Sequence, residues 1–321
     1  MTITNRPACA AFKKQRGGAL LAVLWLSAAL AAVAFSIAGT VKGETERTAT
    51  AVDDVRTYYL ATGAIARTIL RMQWGTPWFT PNQPVIDYDF PTGQVHVQII
   101  PEAAKLDINQ APPDQLFRLL SALTHNEGRA QELTQTIVDW RSPAGKVSGT
   151  FDSYYLGLTP SFLPRHASLE EIEELLAVKG MTPDVFYGTY IRDTSVSPPQ
   201  LVERGGLRDC ISIFGAVGVY DVNGVTPALM ESVGVSPQAV QSVVANRPFL
   251  SAAQYGAFSQ GGAAFPKLRF GGNSIFTIRA TARLRLPDGK LSDLRRTAAS
   301  VIKLQPQKDP AYVVLRWYDR G

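Results

Sequence analysis

Cysteine is scarce, with two residues in a chain of 321. Cys9 lies in a basic N-terminal stretch, so Cys210 stands alone in the rest of the chain and no intramolecular disulfide framework is expected. The histidines, His96, His125 and His166, are scattered, and no Cys/His cluster has the spacing of metal ligands. The sequence has no Gly-x-Ser-x-Gly elbow, no His-Glu-x-x-His helix and no P-loop. A hydrolase therefore has no readable nucleophile–base pair, and the chain reads as non-enzymatic. Charge is also missing locally: from Gly18 to Val41 no residue is charged.

That uncharged run is about 24 residues, enough as a helix to cross a bilayer core of roughly 30 Å. Lys13, Lys14 and Arg16 precede it, which predicts an N-terminus on the cytoplasmic side and a body delivered outside. Three processing routes fit such a segment. Ala32-Val33-Ala34 could end a cleaved secretory signal. The run could be a plain anchor. It could also follow a prepilin-type leader, cut between Gly17 and Gly18, with the helix retained. The sequence beyond the run weighs on this choice. Val52, Val55, Tyr59, Leu60, Ala64, Ile65, Ile69 and Met72 recur every three to four residues, which predicts one buried helical stripe. One helix over about residues 19–73 is expected, stopping near Gly75 and Pro77. A cleaved signal gives no reason for the helix to run on.

The remaining chain reads as α+β. Residues 85–90 and 94–100 alternate around Pro91-Thr92-Gly93, a β-hairpin. Residues 275–286 alternate strictly, Pro287-Asp288-Gly289-Lys290 turns, and 291–304 and 313–318 return as strands. Between them lie about a hundred residues of helical pattern. The expected architecture is a long helix on an antiparallel sheet, with a helical subdomain inserted between strands. The expected divisions are a leader at 1–17, a membrane-spanning part at 18–41, the rest of the helix and first strands at 42–104, an inserted domain at 105–205, and a second repeat with the last strands at 206–321.

The helical part holds an internal repeat. Leu106-Asp107-Ile108-Asn109 precedes one helix pair that ends in Ile137-Val138-Asp139-Trp140-Arg141. Tyr220-Asp221-Val222-Asn223 precedes another that ends in Val243-Val244-Ala245-Asn246-Arg247. A third, partial copy starts at Ser168, which with Glu171 is expected to form a capping box. Such helix-hairpin-helix-like units often grip DNA backbone through hairpin amides and basic side chains. Here Glu127, Glu132, Glu170, Glu171, Glu173 and Glu174 surround two of the three copies, the wrong field for phosphate. Structural use in protein contact is the expected role. The alternating Arg279, Arg283 and Arg285 keep a nucleic-acid-binding alternative open, and are otherwise expected to be a solvated face.

In the order and spacing of these pieces the chain resembles the K-type minor pseudopilin of bacterial type II secretion. The pieces are Arg16-Gly17-Gly18-Ala19-Leu20-Leu21, Leu106-Asp107-Ile108-Asn109, Ile137-Val138-Asp139-Trp140-Arg141, and Leu169 to Leu175 with Val178-Lys179-Gly180-Met181-Thr182. Asp221-Val222-Asn223 with Asn246-Arg247 closes the set. Two places depart from the family: Asn223-Gly224-Val225-Thr226-Pro227 stands for Asn-Thr-Ala-Pro, and Ser148-Gly149-Thr150-Phe151 stands near a Gly-Ala-Glu. The resemblance implies a non-enzymatic, single-pass inner-membrane protein with a periplasmic body. It would initiate and cap the tip of the pseudopilus that exports folded proteins across the outer membrane. The partners it implies are the I- and J-type minor pseudopilins, the major pseudopilin, prepilin peptidase and the inner-membrane assembly platform, with nucleic acid unneeded. It also places the fifth mature residue at Ala22, where most pilins carry Glu to neutralise the N-terminal amine of the subunit above. A tip subunit has no such neighbour. Some pseudopilins bind calcium. No oxygen ligand set can be read from this sequence, so the metal question stays open.

Overall fold

The computed structural model describes residues 18–75, 79, 82–143, 145, 149–193, 198–260, 265 and 267–319. Gly17 and Ser148 lie outside the described residues. The chain divides into two compact units, one ending at Arg56 and the other running from Thr57 to Gly321.

Helix α1 (Gly18–Trp74) starts in the first unit and ends in the second. Its first part has a mean hydropathy of 2.4 over an 18-residue window, none of it buried, which makes it long and apolar enough to cross a membrane. Leu20, Leu24, Trp25 and Phe35 are all exposed there. Within the second unit the expected stripe holds only in its later part: Ala64, Ile65 and Ile69 are buried, Leu60 and Met72 are half-buried and Tyr59 is exposed, as are Val52 and Val55 in the first unit. The buried face also takes in Thr57, Ala61 and Thr68.

That stripe packs on a five-stranded antiparallel sheet whose spatial order is β1 (Val85–Phe90), β2 (Gly93–Pro101), β9 (Ile275–Leu284), β10 (Arg296–Leu304) and β11 (Tyr312–Tyr318). The hairpin β1 (Val85–Phe90) and β2 (Gly93–Pro101) comes first. Alternation sends Ile86, Tyr88, Val95, Val97 and Ile99 toward the helix. Gly93 sits so close to the next strand that an added Cβ would lie 2.2 Å from the carbonyl oxygen of Arg283. Between β2 and β9 the chain builds a second core. It contains a 3-10 turn (Glu102–Ala104), β3 (Leu106–Asp107), α2 (Pro113–Thr124), α3 (Glu127–Arg141), α4 (Asp152–Leu156) and a second 3-10 turn (Ile172–Ala177). Then come α5 (Pro183–Tyr187), the hairpin β4 (Gly188–Asp193) and β5 (Gln200–Gly205), α6 (Leu207–Cys210), β6 (Ile211–Ser212) and β7 (Tyr220–Asp221). The excursion ends with α7 (Pro227–Ser232), α8 (Pro237–Asn246), α9 (Ala252–Gln260) and β8 (Leu268–Arg269). One hydrophobic cluster runs through it from Leu106 to Leu268, so both sequence repeats share a core. The sheet closes with β9 (Ile275–Leu284), β10 (Arg296–Leu304) and β11 (Tyr312–Tyr318). Ile278, Ala280, Ala282, Ala298 and Ile302 face α1. Alanine on both sides lets helix and sheet approach closely, while each fully buried Ile adds roughly 1.5–3 kcal/mol.

The expected helix, the expected hairpin and the alternating strand from Ile275 are all present, and the α+β reading holds. Three details differ. The strand expected from Leu291 begins only at Arg296, because Arg283 and Leu286 bond across the preceding turn to Ser292 and Lys290. The capping box expected at Ser168 lies three residues later: the Glu174 carboxylate accepts the Glu171 amide at 3.2 Å and the Glu170 amide at 2.7 Å, and only a 3-10 turn follows. The hairpin β4–β5 is an element that the helical reading of this stretch did not include.

Candidate functional site

The two sequence repeats fold into the same local device. In the first, the Asp107 Oδ1 accepts the Asn109 amide at 2.9 Å and the Gln110 amide at 3.2 Å, which pins a turn. Asn109 then pairs edge to edge with Leu169: its Nδ2 donates to the Leu169 carbonyl at 3.0 Å and its Oδ1 accepts the Leu169 amide at 2.7 Å. In the second, Asp221 Oδ1 accepts the Asn223 amide at 2.9 Å. Asn223 pairs with Phe249 through the same two bonds, both 2.8 Å. Each Asn side chain thus acts as a short piece of strand that ties a turn to a distant segment. Asn is required because only a primary amide offers both a donor and an acceptor in that geometry.

The arginine that ends each repeat behaves differently. Arg141 donates to the carbonyls of Ile108 and Ala111, locking the first turn from below. Among the described residues, the Arg247 side chain has only a long contact to Met230 Sδ at 3.8 Å, and its buried Nε has no acceptor. Burial, only partly offset by the nearby Asp221 carboxylate, pushes its pKa down to about 10.

Several of the backbone donors between the paired helices are already used. Gly234 and Val235 give their amides to Glu231 and Met230, at 2.9 and 3.1 Å. The His125 amide goes to Ser121 at 2.9 Å, and Asn126 Oδ1 caps α3 through the Arg129 amide at 2.9 Å. These are the amides a phosphate would need.

The basic strand face is not a plain solvated face. Arg283 Nε donates to the Ser292 carbonyl at 2.8 Å, Arg285 pairs with Asp89, and Arg279 is half-buried inside the body. Cys210 is buried against Thr226, and burial pushes its thiol up to about 12, so it is an inert core residue at neutral pH.

Among the described residues one group could hold a cation: Asp139, Asp152 and His166, with ligand atoms within 4.8 Å of one another. The buried Asp139 Oδ1 has no partner. His166 Nε2 lies 2.9 Å from Asp152 Oδ1, and its Nδ1 lies 3.2 Å from the Asp139 carbonyl. Burial alone would lower the imidazole pKa; the Asp152 and Asp139 contacts outweigh it and raise the pKa. Calcium takes six to eight oxygens and disfavours imidazole. The group offers two carboxylates and a ring nitrogen that is already engaged, so it does not fit calcium. Gly18 opens α1 and Ala22 lies exposed within its first turns.

A helix whose later turns pack on an antiparallel sheet, interrupted between adjacent strands by a second core, is the pilin-like α+β architecture expected from the sequence, enlarged by an insertion. Residues 98–188 match the family described as type II secretion system (T2SS), protein K. No curated protein is similar to the chain at a significant level. Among solved structures, the chain is similar in fold to a chain of the GspK–GspI–GspJ complex from the enterotoxigenic Escherichia coli type 2 secretion system. That match has a TM-score of 0.54 and 15% identity, and covers 86% of this chain and 99% of the other. The resemblance to type II secretion protein K read from the sequence therefore holds, in sequence over residues 98–188 and in fold over most of the chain.

Proposed function

We propose that this chain initiates and caps a periplasmic pseudopilus as its K-type tip subunit. A leader is removed between Gly17 and Gly18, the span to Val41 is drawn from the inner membrane into the filament, and the enlarged body stays at the tip. The observation that carries the reading is the first part of α1, exposed and free of any charge, including at Ala22. A pilin buried in the filament under another subunit needs a carboxylate there, because the amine above it would otherwise be an unpaired charge in an apolar bundle. A subunit at the top does not. The duplicated Asn turns then serve as rigid structure, since their amides are consumed internally. Partners are I- and J-type minor pseudopilins, which is how the structurally similar complex is assembled.

Two measurements on the full-length chain test this. N-terminal sequencing of the membrane-bound form should begin at Gly18, and the chain should co-purify with I- and J-type minor pseudopilins from the same cell. A mature start near Phe35, or salt-sensitive duplex DNA binding without those partners, would overturn the reading. Ala22→Glu places a carboxylate in the span at a cost of about 2.5–3.5 kcal/mol near a helix centre and less near its end, and should not improve assembly.

A further inference from the structure

A cavity of about 980 Å³ lies inside the body, between the five-stranded sheet and the second core. Its floor is the sheet face opposite α1, where Gln98, Thr277, Arg279, Ala299 and Val301 alternate with the residues that pack on the helix. Ile100, Ile213 and Phe214 make apolar walls. The volume falls in the range of pockets that enclose ligands, roughly 300–1,000 Å³.

The charges lining it are unequally engaged. Glu102 accepts from Thr277 at 2.6 Å and from Lys105 at 3.0 Å. Asp221 is held by Asn223, Gly271 and Asn273, and Glu171 by Arg316 and Tyr318. Asp209 caps the Gly206 amide at 3.3 Å. Glu173 remains, and its field is felt at Tyr318. The two arginines are the opposite case. Among the described residues, neither Arg279 nor Arg208 has a hydrogen-bond or ion-pair partner; Arg208 only stacks over Tyr187 at 5.8 Å. The Arg279 Nε is fully buried with no acceptor. Burial, and then the like charge of Arg208, lower the Arg279 pKa, only partly offset by the Asp209 and Glu102 carboxylates. Unpaired buried donors are costly, and a planar guanidinium matches an oxyanion bidentately.

We propose that this cavity binds an amphipathic anion: an apolar body ending in one carboxylate or phosphate head group, with the head on Arg279 and Arg208. The anion supplies hydrogen-bond acceptors that neither guanidinium has among the described residues. Its apolar body covers Ile100, Ile213, Phe214 and Val301.

The test uses full-length protein in native membranes, irradiated with a diazirine-tagged decanoic acid or the matching decanol, followed by peptide mapping. The acid should label the peptide carrying Ile213 and Phe214 at least about tenfold more than the alcohol does. Unlabelled decanoate and decyl phosphate compete, and whichever competes at lower concentration names the head group. Arg208→Gln with Arg279→Gln should cut labelling there by a similar factor, while labelling of the span from Gly18 to Val41 stays constant as an internal control. Equal labelling by acid and alcohol, labelling confined to the span, or labelling unchanged in the double variant would each overturn the proposal. If the double variant fails to fold, the acid–alcohol comparison on the unaltered protein decides.

Discussion

The two repeats share one asparagine-pinned turn and differ in how the closing arginine is used. Asp107-Asn109 and Asp221-Asn223 build matching turns, tied to Leu169 and Phe249 by matching pairs of bonds. Yet Arg141 completes its turn by bonding two carbonyls, whereas Arg247 is half-buried and its buried Nε has no acceptor among the described residues. The comparison teaches that the asparagine carries the motif, and that the arginine stabilises only where carbonyls are aimed at it. A charge retained without partners costs desolvation and returns little.

The largest effect expected from breaking this comparison is in the first repeat. Arg141→Ala leaves the Ile108 and Ala111 carbonyls unpaired in the core. It should cost about 3 kcal/mol or more, read as a lower urea midpoint with unchanged slope. The asparagines come next. Asn109→Ala and Asn223→Ala should each cost about 1–3 kcal/mol by the same measurement and, unlike the arginines, should cost nearly the same. A gap between them wider than either loss would show that the two turns are not equivalent. Arg247→Met should then be close to neutral, within about 1 kcal/mol, or stabilising, since it replaces a poorly paired charge with apolar volume. A loss as large as that of Arg141→Ala would break the contrast. The smallest effect concerns the cluster Asp139, Asp152 and His166, which only the first repeat carries. Millimolar calcium should leave the melting temperature unchanged, because the oxygen count is too low. A rise that disappears in Asp152→Asn would show that the cluster takes calcium after all.

Much of the scaffold was legible in the residues. The stripe read from Val52 to Met72 is buried only at Ala64, Ile65 and Ile69, where the sheet covers the helix, whereas the alternation from Ile275 to Leu284 has a clean period with one buried face to enforce it. The repeat was legible because Asp-x-Asn needs both residues at fixed spacing. The hairpin β4–β5 was not. Its strands are exposed almost throughout, so no buried face imposes a period, and Tyr190, Ile191, Leu201 and Val202 spread over both sides. The cavity was not legible either. Arg279 reads in sequence as one of a solvated row, yet it is half-buried in a cavity lined also by segments distant in the chain, α6 and β6 among them. Local pattern reports which face of an element is buried; it does not report what arrives from a hundred residues away.

The register of the sheet has one more consequence. Pro101 and Phe276 are partners across β2 and β9, so the chain leaves the sheet and returns to it at one antiparallel pair. Such paired positions lie about 4.5–5.5 Å apart. The whole second core, with both repeats and the cavity wall, therefore hangs from the sheet as the loop of a hairpin does. A two-residue turn would join the same strands. A lineage could lengthen, replace or delete that module without re-registering a single strand, which gives this fold a seam along which it can acquire bulk while the helix-on-sheet scaffold is left alone.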